Sequence, residues 1–213
     1  MPDSFDLPPS PGDPFWDDFS THEMIMEATV WVLSEEGHSG LTLRKVAERA
    51  GKNRGLVHYY FESKDDLLRS LLDHVLEGQR SMMGIDEDAD PAEKLRTALR
   101  FFAYGPGGVD EHGRHYYQAL LQLRALSPHD EELRRRFTRN YRFTVDLTRE
   151  IVEEGIASGA FRPVDPEATA VSLLAAVDGA RDANLTLDVE ATRETVLDAV
   201  EQVVSKLLAP DGE

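Results

Sequence analysis

Cationic, amide and aromatic side chains are concentrated in residues 50–68, which read AGKNRGLVHYYFESKDDLL. Lys52, Asn53 and Arg54 carry hydrogen-bond donors that suit phosphate oxygens and base edges, and Asn and Arg can pair bidentately with adenine and guanine. Two consecutive tyrosines follow and add hydroxyl groups. Side chains of these types at this spacing are suited to contacts with nucleic acid.

The charge of this region is opposite to that of the chain as a whole. The 213 residues have a formal net charge of −17, whereas residues 42–64 contain six basic and two acidic side chains, a net charge of +4. The rest of the chain therefore carries −21. Three of the five lysines lie in this window, namely Lys45, Lys52 and Lys64. A basic surface in an acidic protein indicates contact with phosphates, although charge clusters are also common on solvated surfaces.

Composition excludes several other classes of protein. With 41% hydrophobic and 30% charged residues, the chain is typical of a soluble globular protein. No apolar run approaches the roughly 20 residues that span a bilayer, and the N-terminus lacks the features of a signal peptide. We therefore expect a cytoplasmic protein without a membrane partner. The absence of cysteine excludes disulfides and thiolate metal sites.

Periodicity predicts an all-α fold of about nine helices. Residues 1–19, with five prolines and five aspartates, are predicted to form a mostly irregular arm. A capping box at Ser20 predicts a first helix that ends at Gly37. Thr42 and Asn53 are predicted to cap two short helices, and Ser63 a fourth helix with a leucine stripe. Further helices are expected at about residues 91–104, 114–126, 130–158, 166–183 and 188–208.

The two short helices have the organisation of a helix-turn-helix. Gly51 supplies the positive φ that a tight turn between helices commonly needs. The residues after it lie at the exposed start of the second helix, which is the part of such a motif that enters the major groove. Short helical hairpins are also common in other all-α proteins, so the pattern by itself leaves that alternative open.

The segment GLTLRKVAERAGKNRGLVHYYFESKDDLL resembles the DNA-binding signature of the TetR family of transcription regulators. The matches are a threonine that opens the second helix, an apolar-alanine pair, the Ala-Gly turn, a small residue in the recognition helix, an aromatic-phenylalanine ending and a Ser-Lys start of the next helix. They fall at Thr42, Val46, Ala47, Ala50, Gly51, Gly55, Tyr60, Phe61, Ser63 and Lys64. The sequence departs from the family pattern at Lys52, Asn53 and His58, where operator preference is expected to differ.

The resemblance implies a DNA-binding domain at residues 20–77 and a ligand-binding and dimerisation domain at 78–213. It also implies a ligand-responsive regulator, a repressor that binds a palindromic double-stranded operator as a homodimer and that a small-molecule effector releases. The residues expected at the DNA are Thr42, Arg44, Lys45, Lys52, Asn53, Arg54, Gly55, His58, Tyr59, Tyr60 and Lys64.

Aromatic and apolar residues of the middle helices are the candidates for an effector site. Pockets are lined by such side chains with a few polar groups that orient the ligand, so a largely apolar effector is expected. Some of these aromatics must instead belong to the core, and the polar ones could simply be solvated. The predicted ligand-binding residues are Phe102, Tyr116, Tyr117, Leu120, Phe137, Asn140, Tyr141 and Arg181.

Small and branched side chains on the last two helices are the candidates for the dimer interface. They suit the packing of a four-helix arrangement between two subunits. The same residues could pack within one subunit, which is the alternative reading. The predicted interface residues are Leu173, Val177, Val196, Val200 and Val203.

An enzyme and a protein-binding adaptor are the alternative functions. Residues that could ligate a metal occur at short spacing beside the glycine-rich break at 105–108, namely Asp110, Glu111, His112 and His115, with His129 further on. Loops collect such residues without binding metal, and the chain has no nucleophile elbow, phosphate-binding loop or HExxH motif. We therefore predict neither an enzyme nor a metal or cofactor site. An adaptor would not require the basic window.

Overall fold

The fold is built from α-helices. A computed structural model of the protein describes residues 11–12, 14–104 and 111–186, together with helical residues 198, 201–202 and 204–205. No residue of these ranges forms a β-strand, so the all-α prediction is confirmed. Up to residue 186, the described part of the chain contains a 3₁₀ helix at Pro14–Trp16 followed by eight α-helices: α1 (Thr21–Gly40), α2 (Leu43–Arg49), α3 (Arg54–Tyr60), α4 (Lys64–Met82), α5 (Pro91–Tyr104), α6 (Glu111–Leu126), α7 (Glu131–Ser158) and α8 (Pro166–Thr186).

Local hydrogen bonds explain where the helices begin. Oγ of Ser20 accepts a hydrogen bond from the Glu23 amide at 3.3 Å, and the Glu23 carboxylate accepts one from the Ser20 amide at 2.8 Å, which completes the predicted capping box. Carboxylates cap α5, α7 and α8 in a similar way, each within about 3 Å of a first-turn amide; they belong to Asp90, Asp130 and Asp165. Most of the predicted last helix lies outside the described residues.

Two features near the N-terminus refine the predictions. Gly37 has φ 68° and interrupts the helical backbone of α1, although a further turn continues to Gly40. In the described part of the arm, the 3₁₀ helix inserts Trp16 into the hydrophobic core, where the side chain is only 4% exposed. Residues 1–10 and 13 lie outside the described residues, so the mostly irregular arm remains a prediction.

The described chain divides into two compact units. The first consists of Met1–Gly78 and Asp110–Phe137. At its centre lies α1, in which every residue from Ile25 to Leu33 is buried, because other elements surround this stretch of the helix. Helix α6 packs on α1, so residues 110–137 share a unit with the predicted DNA-binding domain 20–77. The role predicted for residues 78–213 remains a prediction.

The second unit consists of Gln79–Val109 and Thr138–Glu213. Its core is formed by apolar side chains of α5, α7 and α8, among them Leu99, Ile151 and Leu173. Phe161, in the connection between α7 and α8, is also buried there. Its ring lies against the backbone of Gly155, and a Cβ atom added to Gly155 would overlap with that ring. The close approach of the connection to α7 therefore requires glycine at this position.

Candidate nucleic-acid interface

The two short helices α2 and α3 are held by side-chain caps and by a glycine turn. Oγ1 of Thr42 accepts a hydrogen bond from the Lys45 amide at 3.2 Å, and Oδ1 of Asn53 accepts one from the Leu56 amide at 2.8 Å. Both caps satisfy first-turn amides that would otherwise lack partners. Thr42 and Asn53 therefore serve the fold, whatever else they contact.

The turn between α2 and α3 reverses the chain through a left-handed residue. Gly51 has φ 64°, a conformation that glycine adopts without steric cost. The Lys52 amide then donates to the Ala47 carbonyl at 2.9 Å, which closes the end of α2. This geometry confirms the helix-turn-helix that the spacing predicts.

Helix α3 buries one side and exposes the others. Val57 is completely buried in the core, whereas Arg54, Gly55 and His58 are exposed. Tyr59 is 82% exposed, the largest value among the large hydrophobic side chains that the structure describes as exposed. The ring and hydroxyl of Tyr59 are therefore accessible to a binding partner. The exposed face of α3 therefore carries the polar groups that the sequence predicts at the DNA.

Contacts with neighbouring side chains restrict the conformations of Arg54 and Tyr60 on this surface. Nε of Arg54 donates a hydrogen bond to Nε2 of His58, 3.2 Å away and one turn further along α3. The ring of Tyr60 lies 6.0 Å from that of His22 and 5.4 Å from that of Tyr59. Tyr60 is 39% exposed, so it is less available than Tyr59.

Several basic side chains of the window have acidic partners within the chain. Arg44 pairs with Glu48 on the exposed face of α2, at 2.6 Å. Lys45 pairs with Glu36 near the end of α1. Arg49, which is absent from the predicted set, pairs with Glu35 at 2.6 Å. Sequence reasoning missed these links between α2 and α1 because their partners are distant in the chain.

The cations of the turn and of α3 differ from those of α2. Neither Lys52 nor Arg54 forms an ion pair with any residue that the structure describes. These two side chains flank Asn53, whose side chain caps the start of α3. The unneutralised positive charge is therefore located where a recognition helix meets DNA.

Lys64 is partly buried, whereas a charged side chain that contacts DNA phosphates is expected to be exposed. Its Nζ atom donates a hydrogen bond to the backbone carbonyl of His38. Partial burial lowers the pKa of Lys64, and burial together with the Lys64 ammonium lowers the pKa of His38. Lys64 links α4 to the end of α1, and its predicted phosphate contact remains a prediction.

The predicted effector residues divide between the two units. Tyr116, Tyr117, Leu120 and Phe137 belong to the first unit, and Phe102, Asn140, Tyr141 and Arg181 to the second. Tyr117 is buried, Tyr141 is 45% exposed, and the other six are half-buried. Their joint role in a ligand site remains a prediction.

Two of the predicted effector residues have structural partners that the sequence does not reveal. The guanidinium group of Arg181 donates to the Phe102 carbonyl in the last turn of α5 and pairs with Asp178. The Tyr116 hydroxyl donates to Glu27, a carboxylate that is 3% exposed inside α1. Both contacts hold helices together, whether or not a ligand also reaches these side chains.

Of the five residues predicted at the dimer interface, the structure describes two. Leu173 and Val177 are 3% and 1% exposed and belong to the core of the second unit, and their role in a dimer interface remains a prediction. Val196, Val200 and Val203 lie outside the described residues. The exposed face of α8 carries different residues, with Val171 38% exposed beside Ala168, Ala175, Ala176 and Gly179.

The alternative metal ligands are only partly described. Asp110 and the side chains of Glu111 and His112 lie outside the described part. Nδ1 of His115 lies 2.8 Å from the Ser34 hydroxyl. Among the residues searched, which are the described ones, no group of three or more His, Cys, Asp or Glu side chains is placed to hold a metal ion. None of the described helices is both long and apolar enough to span a bilayer.

A helix-turn-helix that exposes such donors defines the DNA-binding domain of a transcription regulator. Residues 25–71 match the family described as "Bacterial regulatory proteins, tetR family", and residues 91–209 match "BetI-type transcriptional repressor, C-terminal". The second match covers more than half of the chain. The chain belongs to the TetR family of DNA-binding transcriptional regulators, as the sequence resemblance predicts.

Individual relatives agree with this assignment. The chain is similar to the HTH-type transcriptional repressor NicS of Pseudomonas putida, with 30% identity over 149 residues, 67% of this chain and 66% of that repressor. It is 36% identical to the HTH-type transcriptional regulator BetI of Paraburkholderia phytofirmans over 78 residues, 35% of this chain and 40% of the regulator. The matches thus span about two thirds or less of these relatives.

A solved structure extends the similarity to most of the chain. The crystal structure of a TetR transcription regulator from Haloarcula marismortui matches with a TM-score of 0.78 and 32% identity. It covers 88% of this chain and 98% of that one. Both units therefore have counterparts in one known regulator.

Proposed function

We propose that this chain is a homodimeric repressor that binds a palindromic DNA operator and is released by a small-molecule effector. The observation that carries the proposal is the exposed start of α3, where Lys52, Asn53 and Arg54 follow the Gly51 turn and neither cation is neutralised by a described residue. Donors in this arrangement suit phosphates and base edges of a major groove.

Dimerisation is supported by the exposed face of α8. Ala168, Val171, Ala175 and Gly179 follow one another at three- and four-residue spacing and are all exposed. Small side chains allow two helices to approach closely, and burying Val171 removes apolar surface from water. Two recognition helices would then meet successive major grooves of one DNA face, about 34–36 Å apart.

The proposed release by an effector acts through the separation of the two recognition helices. A bound ligand that changes the separation of the two recognition helices weakens both half-site contacts together. A coupling free energy of about 1–3 kcal/mol is sufficient to change operator occupancy. The match of residues 91–209 to a BetI-type repressor domain supports such a regulatory role.

DNA binding is tested with a labelled duplex from upstream of the gene that encodes this chain and a random duplex of equal length. We expect the upstream duplex to bind about 10³-fold more tightly or better at physiological salt. Sedimentation of the complex should give two chains for each duplex. Equal affinity for both duplexes, or one chain in each complex, contradicts the proposal.

Repression and release need a separate measurement. In an in vitro transcription assay from the upstream promoter, the protein should lower transcript yield, and metabolites extracted from the purified protein should restore it. Mass spectrometry of the extract identifies the effector. An increase of transcript on addition of the protein would indicate an activator instead.

A further inference from the structure

Helix α7 has a charge pattern of its own, separate from the basic window of the helix-turn-helix. Residues 134–142 contain five arginines and no acidic side chain. Residues 146–154 contain four acidic side chains and one arginine, a net charge of −3. The part of α7 that belongs to the second unit begins at Thr138 and includes charges of both signs. A basic segment is therefore followed by an acidic one on the same helix.

The charged side chains of this part of α7 lie along one exposed face, which we call the α7 stripe. Residues spaced three and four apart lie on the same side of a helix. The α7 stripe consists of five exposed side chains at this spacing: Arg139, Arg142, Asp146, Glu150 and Glu153. At the rise of an α-helix, its two ends are about 21 Å apart.

Each end of the α7 stripe keeps a net charge within the described chain. Arg139 and Arg142 form no ion pair or hydrogen bond with any residue that the structure describes. At the acidic end, the Arg149 guanidinium is shared among four carboxylates. These belong to Glu153, at 2.7 Å, and to Asp146, Glu150 and Glu167, at 3.7–3.8 Å. Because one positive charge does not compensate four negative ones, the acidic end stays negative while the basic end stays positive.

The two ends are complementary to each other in one antiparallel register. Positions 142 and 150 are equidistant from 146, and so are 139 and 153. When two copies of α7 lie antiparallel about a two-fold axis at residue 146, Arg142 of each copy therefore lies at the level of Glu150 of the other, and Arg139 at the level of Glu153. The two-fold axis repeats each pairing, so one register forms four contacts between opposite charges. Parallel copies would instead place like charges opposite each other.

We propose that the α7 stripe is a second self-association surface, on which a second copy of this chain docks in the antiparallel orientation. The exposed face of α8, proposed above as the dimer interface, is on a different helix. Contact through α7 therefore joins two such dimers into a tetramer. Exposed ion pairs are individually weak and are screened by salt, so the free protein should associate in this way at low salt and high concentration.

The consequence for regulation rests on the DNA binding proposed above. Dimers on neighbouring operators are held close together, which gives each a high effective concentration for the other. A contact too weak to persist in dilute solution is then sufficient to make operator binding cooperative.

Sedimentation velocity of the full-length protein tests the contact without DNA. A concentration series is measured at about 50 mM and about 300 mM salt. The associated species at low salt should have twice the mass of the species at high salt, and its dissociation constant should be lower by about tenfold or more. Identical mass and affinity at both salt concentrations overturn the proposal. Because no DNA is present, that result leaves the proposed operator binding intact, and a failure of operator binding leaves this measurement unaffected.

Charge reversal tests the register itself. Arg139→Glu combined with Arg142→Glu should abolish the doubling of mass, and so should Glu150→Arg combined with Glu153→Arg. All four changes in one chain keep the net charge at −17 and restore opposite charges across the axis. With folding verified by circular dichroism, this fourfold variant should associate as the wild type does. A fourfold variant that does not associate contradicts the register.

A matched control separates the position of the charges from the net charge. Arg100→Glu combined with Arg124→Glu changes the net charge equally at exposed positions outside the α7 stripe. An equal loss of association in this control attributes the effect to net charge and overturns the proposal.

A single substitution at the axis gives an effect of the opposite sign. Two copies of Asp146 meet at the two-fold axis and repel each other, so Asp146→Asn should tighten association about threefold. This variant also decides the matter if the charge reversals fail to fold. Unchanged or weaker association of Asp146→Asn contradicts the proposal.

Discussion

Nε of Arg54 donates a hydrogen bond to Nε2 of His58, 3.2 Å away across one turn of the recognition helix. Because this bond occupies Nε, the two terminal nitrogens of the guanidinium remain available for a bidentate contact with guanine or with a phosphate. His58 is one of the positions at which this sequence departs from the family pattern. The departure thus has a specific consequence, since His58 orients a candidate base-reading side chain.

We expect Arg54→Ala to cost about 1–3 kcal/mol of operator binding and to relax base preference at one position. His58→Ala should relax the same position with a smaller loss of affinity, because Arg54 remains present but is no longer oriented. His58→Gln retains a hydrogen-bond acceptor and serves as the control. Anisotropy titrations against operators with single base changes check this, and a uniform loss on all operators would show that Arg54 contacts only phosphate.

Lys52 and Arg49 should differ in their effect on salt dependence. Lys52 has no ion-pair partner among the described residues, whereas Arg49 pairs with Glu35 on α1. Lys52→Ala should therefore reduce the slope of log K against log salt by about one unit. Arg49→Ala should leave the slope nearly unchanged and lower the melting temperature slightly instead. An equal loss of slope in both variants would contradict this distinction.

The exposed face of α8 should determine the oligomeric state. Ala175 is exposed in the single chain, so Ala175→Glu should leave the protomer folded. In a dimer that buries this face, the unpaired charge should weaken association by about tenfold or more. Ala157→Glu, at another exposed alanine, is the matched control. Sedimentation velocity decides the matter, and a dimer that survives Ala175→Glu unchanged would indicate another interface.

Gly155→Ala should destabilise the second unit. The added methyl group would overlap with the ring of Phe161, whose amide donates to the Gly155 carbonyl at 2.9 Å. Overpacking of this kind typically costs about 1–3 kcal/mol. Combining the change with Phe161→Leu should recover part of the loss, because the smaller side chain makes room. Chemical denaturation measures both effects, and a double variant less stable than the sum of its parts would rule out a simple clash.

Stability should decrease at mildly acidic pH partly through His38. Burial and the Lys64 ammonium lower the pKa of His38 below its ordinary value of 6.5, so the folded protein binds fewer protons here than the unfolded chain. This contribution is present above pH 6.5 and is lost as the pH falls below it. His38→Gln should therefore reduce the drop in melting temperature between pH 7.5 and 5.5. An unchanged drop would assign the acid sensitivity to other groups.

The helix boundaries and the helix-turn-helix follow from local chemistry that can be read in the sequence. Ser20, Asn53 and Asp165 cap their own helices through hydrogen bonds to residues three positions away, which do not depend on the rest of the fold. The same holds for Gly51, whose positive φ is a local requirement of the turn. Local determinants also carry the family resemblance, since it lies in one uninterrupted segment.

Contacts between distant segments were decided by the tertiary structure alone. Periodicity identifies Leu173 and Val177 as an apolar stripe of α8, but it does not reveal that the core of the same chain already covers them while Val171 and Ala175 remain exposed. A helix has several faces, and only packing determines which partner each face meets.

One part of the charge pattern is determined by the sequence and another only by the tertiary structure. The sequence determines that residues 42–64 are basic in an acidic chain, because composition needs no fold. Only the tertiary structure pairs Arg49 with Glu35 and Lys45 with Glu36, leaves Lys52 and Arg54 without such partners among the described residues, and brings Pro11 to the turn. Ion pairs depend on distances of a few ångströms between segments that are far apart in the chain, and those distances exist only after folding.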